Sequence, residues 1–358
     1  MNMQKKKMFV DIHVIQTVPP SCVNRDDTGS PKTAVYGGVR RARVSSQSWK
    51  HAMRQSFKEQ FDESDLGIRT KKIINMVAEQ IVILDQTVPD AENRAKKVIE
   101  AAGVKTKEKD NEVMALFFLS RKQAENLAKL AISESYDKKI VQEALNKNYG
   151  VDIALFGRMV ADDPSLNTDA SAQVAHCIST HRVDNEYDYF TAVDELSPKD
   201  NAGAGMIGTV EFNSATLYRY STIAVHDLCD QLIEAAATAK AVKEFTRAFI
   251  TSMPTGKQNT FANRTLPDSV MIAIRSDQPI NLVGAFELPI APSDGGGYAV
   301  ASSKKLADYA KGVYSMFAPE PTKSWQIGNG LESIGKAQGI SAVLDELESS
   351  IDEALVKR

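Results

Sequence analysis

The sequence GGVRRARVSSQSWKHAMR, residues 37–54, contains the pattern on which the fold prediction depends. The alternation from Val39 to Ser45 predicts an extended strand, and a helix is expected to begin at Ser45 to Gln47. The apolar stripe of this helix consists of Trp49, Ala52, Met53 and Phe57. The segment therefore predicts a strand that leads directly into an amphipathic helix.

Strand-like and helical patterns on both sides of this segment extend the prediction to a whole fold. Residues Phe9 to Val18 alternate apolar and polar side chains, as a half-buried strand does. Further strands are predicted over 172–183, 216–225 and 269–275, and a long helix over 227–253. The order is strand, helix, strand, strand, helix, strand, which is the ferredoxin-like or RRM order. We therefore expect an α+β protein with an RRM-like (ferredoxin-like) sheet.

Two segments interrupt this order. Residues 62–159 carry successive amphipathic helical patterns with charges of both signs, among them NEVMALFFLSRKQAENLAKLAI at 111–132, so a helical insertion is expected. Residues 184–214 are polar and glycine-rich and too long for an ordinary turn. This second segment is interpreted as a long hairpin-like excursion from the sheet.

Composition restricts the class of protein. A chain of 358 residues, of which 43% are hydrophobic and 25% charged, can bury a core. No apolar run is long enough to span a membrane, and the lysine-rich start lacks the apolar stretch of a secretory signal. Three widely separated cysteines predict no disulfide framework, which suits a reducing compartment. We therefore expect a cytoplasmic protein without a membrane partner.

Positive charge is concentrated around the predicted helix start. The whole chain has a net charge of −3, yet the stretch from Thr28 to Lys58 has seven Lys and Arg and no Asp or Glu. These cations are Lys32, Arg40, Arg41, Arg43, Lys50, Arg54 and Lys58. The alternative is a solvated basic face with Ser45 as an ordinary N-cap. Because Gly37 and Gly38, the arginines and the N–H groups of a helix start converge, contact with a phosphate backbone is favoured.

Asp26 and Asp27 are adjacent carboxylates that could hold Mg²⁺ for nuclease chemistry. The alternative is a turn in which Asp side chains accept hydrogen bonds from nearby N–H groups. Two adjacent carboxylates cannot by themselves build a two-metal site, so the turn is favoured.

Two further motifs do not fit their structural context. Gly203, Gly205 and Gly208 match G-x-G-x-x-G, but the residues that follow are strand-like, which argues against a dinucleotide site. His176 and His181 would point to opposite faces of a strand, so shared zinc ligation is not expected. The sequence therefore predicts no metal, no cofactor and no catalytic residues. A nucleotide-dependent enzyme that uses the loop around Gly203 is the less favoured alternative.

The excursion at 184–214 carries aromatic residues. Tyr187, Tyr189 and Phe190 precede its glycine-rich tip. Aromatic side chains on an extended arm can stack on unstacked bases, or they can fix the arm to its own domain. The residues alone favour neither interpretation.

Six ordered blocks of sequence resemble one protein family. They are HVIQTVPPSCVNRDD, AVYGGVRRARVSSQSWKHAMR, VDIALFGRM, HCISTHRVDNEYDYFTAVDEL, GTVEFNSATLYRY and TGKQNTFA. From about residue 8 to 290 they are similar to the CasC family, the backbone subunits of Cascade, the type I-E CRISPR surveillance complex. His51 departs from the family pattern, because Arg or Lys is expected at this position.

The resemblance implies a hand-shaped fold with an RRM-like palm, a helical fingers insertion and a β-hairpin thumb. The implied palm comprises residues 1–61, 171–183 and 215–358, the fingers 62–170 and the thumb 184–214. The resemblance implies that guide RNA is held by Lys32, Ser45, Gln47, Lys50 and Arg54, with Arg25 and Arg41 close by. Arg43 joins this set from the basic block, Met159 and Phe190 are implied as the wedge at a kinked nucleotide, and Lys257 and Gln258 as further contacts.

The expected function is that of a non-catalytic CRISPR RNA-binding subunit that stacks head to tail into a helical filament. Its expected partners are CRISPR RNA, the target DNA strand paired to the guide, copies of itself and other Cascade subunits. The alternative is an RNA-guided, metal-dependent ribonuclease of the same fold that uses Asp26 and Asp27.

Overall fold

The structure, a computed structural model, describes residues 6–107, 110–192 and 206–357. The strands are β1 (Phe9–Ser21), β2 (Thr33–Tyr36), β3 (Val39–Val44), β4 (Gly67–Thr70), β5 (Phe117–Ser120), β6 (Ala172–Val174), β7 (Cys177–Ser179), β8 (Glu186–Ala192), β9 (Met206–Ala224), β10 (Ser269–Arg275) and β11 (Lys323–Gly328). The helices are α1 (Ser46–Phe57), α2 (Ile73–Leu84), α3 (Ala91–Ala101), α4 (Arg121–Ile132), α5 (Lys138–Leu145), α6 (Val151–Phe156), α7 (Val225–Leu232), α8 (Ala235–Thr251), α9 (Gln258–Phe261), α10 (Ala299–Met316) and α11 (Ile340–Val356).

Most of the strands in the described residues belong to one sheet. Its order is β11-β10-β1-β9-β7-β3-β2, and β6 and β8 also pair with β9. The central strands β10, β1, β9 and β7 are each antiparallel to their neighbours. Along the chain these elements occur as β1, α1, β7, β9, α8 and β10, which is the ferredoxin-like order. The predicted α+β, RRM-like fold is confirmed.

One face of this sheet packs against α1 and α8. Val10 and Ile12 of β1 share a buried cluster with Trp49 of α1 and with Phe245 and Phe249 of α8. The predicted apolar stripe of α1 is buried throughout. The central sheet with α1 and α8 is called the palm below, and its apolar core fixes the direction in which α1 presents its polar side chains.

The other face of the palm is also covered. Ile15 and Tyr218 lie in a second buried cluster with Phe286, from a 3₁₀ turn at Leu282–Phe286, and with Leu306 of α10. RRM proteins leave this sheet face open and stack RNA bases on its aromatic side chains. In this protein that face is part of the core, so nucleic acid cannot be held there.

The residues between α1 and β6, called the fingers below, have a hydrophobic cluster of their own. It contains Ile73 and Ile81 of α2, Val98 of α3 and Leu127 of α4. β4 and β5 pair as a separate two-stranded sheet beside these helices. The domain boundaries given for the fingers at residues 62 and 170 stay predictions.

Two of the predicted helices are interrupted. The prediction of one helix over 111–132 is wrong at its start, because β5 takes Phe117–Ser120 and α4 begins after a capping box made by Ser120 and Gln123. The helix predicted over 227–253 is divided into α7 and α8 at Ile233, whose φ of 73° cannot continue a helix. None of the helices in the described ranges is both long and apolar enough to cross a lipid bilayer.

β8 and the first part of β9 form an antiparallel hairpin that leaves the palm. Its register runs from Glu186 opposite Phe212 to Ala192 opposite Met206. Gly203 and Gly205 of the G-x-G-x-x-G match lie outside the described residues, and Gly208 lies within β9. The hairpin is the observed counterpart of the predicted excursion.

Candidate nucleic-acid interface

The interface begins where β3 ends and α1 starts. Ser45 is the N-cap of α1, and its hydroxyl oxygen accepts a hydrogen bond from the backbone N–H of Ser48 at 3.3 Å. The N–H of Ser45 donates to Oδ1 of Asn24 at 2.9 Å, which ties the helix start to the preceding loop. The capping interpretation of Ser45 is confirmed, and its contact with RNA stays a prediction.

A cleft of about 500 Å³ lies between α1 and the fingers and is called the palm–fingers cleft. The predicted residues that line it are Gln47, Lys50, Arg54 and Met159. Met159 follows α6 with 83% of its surface exposed, so an apolar side chain stands at the edge of a basic cleft. The structure thus brings together four predicted residues from two distant parts of the chain.

Lys50 and Arg54 differ in the number of contacts that their charged groups make within the protein. Arg54 Nε lies 3.0 Å from Oδ2 of Asp152, and its guanidinium also donates to the carbonyl of Gly67 at 3.2 Å. The same guanidinium lies 4.5 Å from the ring centre of Phe118. Lys50 has no carboxylate partner among the described residues, and partial burial lowers the pKa of its ammonium group. Lys50 therefore remains available to a phosphate, whereas Arg54 is neutralised by an internal carboxylate.

Arg41 requires a correction. The residue was predicted near the guide RNA, but its side chain is completely buried. Its guanidinium donates to the carbonyls of Tyr36, Ser179, Phe286 and Glu287 at 3.1, 3.1, 2.9 and 3.3 Å. In β3 the side chains alternate, so Arg40 points outward and Arg41 inward. Arg41 is a buried structural residue and cannot reach a ligand.

Lys32 and Arg43 lie near the base of the hairpin. Both line a shallow depression together with Asn213 of β9. The Arg43 guanidinium donates to the carbonyl of Thr33 at 3.3 Å and lies 3.2 Å from Nδ1 of His176. Burial and the charges of Arg43 and Lys32 lower the pKa of His176. This histidine thus lies beside two positive charges, which disfavour a metal ion at its ring.

Phe190 lies on the hairpin away from the palm–fingers cleft. Phe190 pairs in register with Gly208 across the hairpin, and the Phe190 ring fills the space where a side chain at position 208 would be. About 37% of its surface is exposed, and the neighbouring Tyr187 and Tyr189 are 67% and 64% exposed. Within the described residues these two tyrosines are therefore not fixed to the palm, which leaves their side chains accessible to a partner.

A second cleft, of about 750 Å³, lies on an adjoining face of α1 and is called the loop cleft. Its lining includes the predicted Arg25 and Gln258 and also Asp26, Asp27 and Glu59. Lys257 precedes α9 with a φ of 50°, and its own contact with nucleic acid stays a prediction. The loop cleft carries charges of both signs, in contrast to the more uniformly basic palm–fingers cleft.

The carboxylate of Asp26 stabilises a turn. Its Oδ1 accepts hydrogen bonds from the N–H of Thr28 at 2.9 Å, the hydroxyl of Thr28 at 2.7 Å and the N–H of Ser30 at 3.0 Å. These bonds lower the pKa of Asp26, with the Thr28 hydroxyl as the largest cause. Over residues 6–107, 110–192 and 206–357, no group of three or more His, Cys, Asp or Glu is placed to hold a metal ion. The turn interpretation of Asp26 is supported.

One residue that sequence reasoning did not place in the interface lines the palm–fingers cleft, and a second residue, noted only as a departure from the family pattern, lines both clefts. Arg69 of β4 is exposed and lines the palm–fingers cleft, and His51 of α1 lines both clefts. No local signal marks Arg69, because it lies outside the basic block in a segment of mixed charge. His51 was identified from the family resemblance as the position where Arg or Lys is expected, and the structure places it on α1 beside Lys50.

Comparison with known proteins identifies relatives of the whole chain. The family model described as CT1975-like protein, a Cas family, matches residues 10–355. A solved chain described as "CRISPR RNA-guided surveillance complex, pre-nicking" is 33% identical with a TM-score of 0.82, and the match covers 96% of this chain and 100% of that one. A second, described as "CRISPR RNA-guided surveillance complex", is 30% identical with a TM-score of 0.64 and covers 96% and 99%. A search of curated proteins finds no match.

Proposed function

Because the chain belongs to the CT1975-like Cas family, we propose that it binds the CRISPR RNA of an RNA-guided surveillance complex. The observation that carries the proposal is the palm–fingers cleft, which Gln47 and Lys50 of α1 line together with the exposed Met159. A cation and a polar side chain suit a phosphate backbone, and an apolar side chain at the rim suits an unstacked base.

The narrower form of the proposal is the backbone subunit of a type I-E Cascade complex. Copies of the chain would bind head to tail along one CRISPR RNA, because an interface that joins unlike surfaces produces an open helix. Each copy needs only a few phosphate contacts, since copies on one RNA act multivalently. This accounts for RNA binding by a chain with a net charge of −3. The target DNA strand would then pair with the guide, whose bases supply the sequence specificity.

We further propose that the chain contributes no chemistry of its own. The support is that Oδ1 of Asp26 is occupied by three hydrogen bonds within its turn. An oxygen that already accepts three hydrogen bonds is a poor ligand for a catalytic Mg²⁺, and the two adjacent carboxylates of Asp26 and Asp27 cannot by themselves build a two-metal site.

The proposal is tested by purifying the full chain from cells that express a CRISPR array and sequencing the RNA that remains bound. We expect short RNAs of uniform length with repeat-derived ends. The Lys50→Glu variant should retain much less RNA, whereas Lys58→Glu should retain the wild-type amount, because Lys58 is exposed and does not line the palm–fingers cleft. Absence of RNA, or RNA of random length and sequence, would overturn the proposal.

The absence of chemistry is tested separately with the purified RNA-bound protein. A target RNA that matches the guide should stay intact in Mg²⁺. Cleavage of this RNA by the wild type that disappears in the Asp26→Ala, Asp27→Ala double variant would support the ribonuclease alternative instead.

A further inference from the structure

We infer that Arg69 of the fingers is a phosphate-binding residue of the palm–fingers cleft, and that Arg54 is a positioning residue that fixes the fingers to α1. The inference rests on the proposed function. It assigns to two neighbouring arginines roles that their place in the sequence does not suggest, because Arg54 lies in the basic block and Arg69 does not.

Arg54 is directed into the junction between the palm and the fingers. It connects α1 to three elements of the fingers: α6 through the ion pair with Asp152 at 3.0 Å, β4 through the carbonyl of Gly67 at 3.2 Å, and β5 through the ring of Phe118 at 4.5 Å. Asp152 also contacts β4, because its Oδ1 accepts a hydrogen bond from the N–H of Gly67 at 2.7 Å. The side chain of Asp152 is only 3% exposed, so removing Arg54 would leave a buried carboxylate without its cation.

Arg69 lies on the open side of the same junction. It follows Gly67 by two residues in β4 and pairs in register with Phe118, the residue whose ring lies against Arg54. Arg69 is exposed, lines the palm–fingers cleft, and has no carboxylate partner among the described residues. Its guanidinium is therefore free to bind both oxygens of a phosphate, a geometry that lysine cannot match.

The contacts of the other cations that line the cleft show which of them can bind a phosphate. Arg158 lines the cleft but is buried, and its guanidinium donates to the carbonyls of Leu166 at 2.9 Å and Leu145 at 3.2 Å. Among the described residues that line the cleft, Asp169 carries the only carboxylate. Within the described lining, Lys50 on the palm wall and Arg69 on the fingers wall are thus the two cations without a carboxylate or carbonyl partner. A phosphate held between them would connect the two parts of the molecule.

The test compares single variants of the full chain in binding to a labelled single-stranded RNA over a series of salt concentrations, with a thermal melt of each variant. For Arg69→Gln we expect an unchanged melting temperature and a salt slope, d log K/d log[salt], that is smaller by about 0.7, the value for one lost phosphate contact. For Arg54→Gln we expect a lower melting temperature and an unchanged salt slope in the folded protein. The matched control is Arg121→Gln, which removes the same charge at the start of α4, where Arg121 pairs with Glu63 outside the cleft.

Each result decides one assignment. A wild-type chain that does not bind the RNA would overturn the proposed function and the inference with it. A wild-type chain that binds, with Arg69→Gln identical to it in salt slope, would overturn the inference for Arg69 and leave the proposed function standing. A reduced slope without a lower melting temperature in Arg54→Gln would show that Arg54 is the phosphate ligand. A reduced slope in Arg121→Gln would show that the loss reflects net charge rather than the cleft.

Discussion

Replacing Arg41 by Met should destabilise the fold and leave the salt dependence of RNA binding unchanged. The four hydrogen bonds of its guanidinium, at 2.9 to 3.3 Å, connect β3 to the end of β2, to β7 and to the segment around Phe286 and Glu287. At this point Gly37 also packs against the carbonyl of Glu287 so closely that any side chain there would collide with it. Arg41 therefore fastens the β2–β3 hairpin to the segment that covers the sheet.

The size of the effect follows from these contacts. Each hydrogen bond from a charged donor contributes about 1.5–3 kcal/mol, but carbonyls regain part of this by binding water once the site opens. We therefore expect the free energy of unfolding to fall by about 3–5 kcal/mol, at about 1 kcal/mol for each of the four carbonyls left without a donor. At about 2–4 °C per kcal/mol, the melting temperature should fall by roughly 10 °C.

The assay combines urea denaturation with RNA binding below the melting temperature of the variant. The matched control is Arg40→Met, since Arg40 precedes Arg41 in β3 but is exposed, and its unfolding free energy should change by less than about 0.5 kcal/mol. The reasoning would be refuted if Arg41→Met kept wild-type stability and lost salt dependence in RNA binding.

Three further outcomes are expected. Lys50→Glu should reduce the salt slope of RNA binding by at least about 0.7 for every RNA sequence, whereas Lys58→Glu should not; a loss confined to some sequences would contradict a backbone contact. Phe190→Ala should leave thermal unfolding nearly unchanged and alter the chemical reactivity of guide nucleotides in the assembled complex; identical reactivity would exclude a role at the kink. Burial raises the pKa of Asp11 to about 6 from its ordinary 3.8, so its contribution is favourable below pH 4 and is lost as the pH rises through 6. Asp11→Asn should therefore gain about 3 kcal/mol relative to the wild type between pH 4 and pH 7 in denaturant titrations, and a constant difference would be contrary evidence.

The structural elements at the candidate interface that sequence reasoning predicted correctly are those set by local periodicity. Helix α1, its N-cap at Ser45 and its buried stripe follow from residues within one short segment. The role of Arg41 could not be predicted in this way, because strand alternation separates Arg40 from Arg41 without indicating which face is covered. The segment that covers the Arg41 side of β3 contains Phe286 and Glu287, about 245 residues further along the chain.

The same limit applies to the cations of the palm–fingers cleft. Spacing on α1 grouped Lys50 with Arg54, but the carboxylate that neutralises Arg54 belongs to Asp152, 98 residues away. Sequence reasoning did not select Arg69, because this residue lies in β4, within the segment that was predicted to be a helical insertion. Only the tertiary structure brings β4 to the edge of the cleft. Charge density in the sequence indicated the candidate region, and tertiary contacts determine which of its cations have no carboxylate partner.

Because both faces of the sheet are covered, this fold would have to hold RNA outside the sheet. In an RRM, exposed aromatic side chains of the sheet stack on splayed-out bases, and the protein hydrogen-bonds the Watson–Crick edges of those bases, which are then not free to pair. Here the corresponding Tyr218 and Tyr220 are buried, and their hydroxyl groups lie 2.8 Å from Nδ1 of His13 and 2.9 Å from Oδ1 of Asp11. The free cations lie instead at the start of α1 and on β4, where they can reach phosphates. A protein that holds a guide by its backbone leaves the guide bases unoccupied, which is the condition for pairing with a target strand.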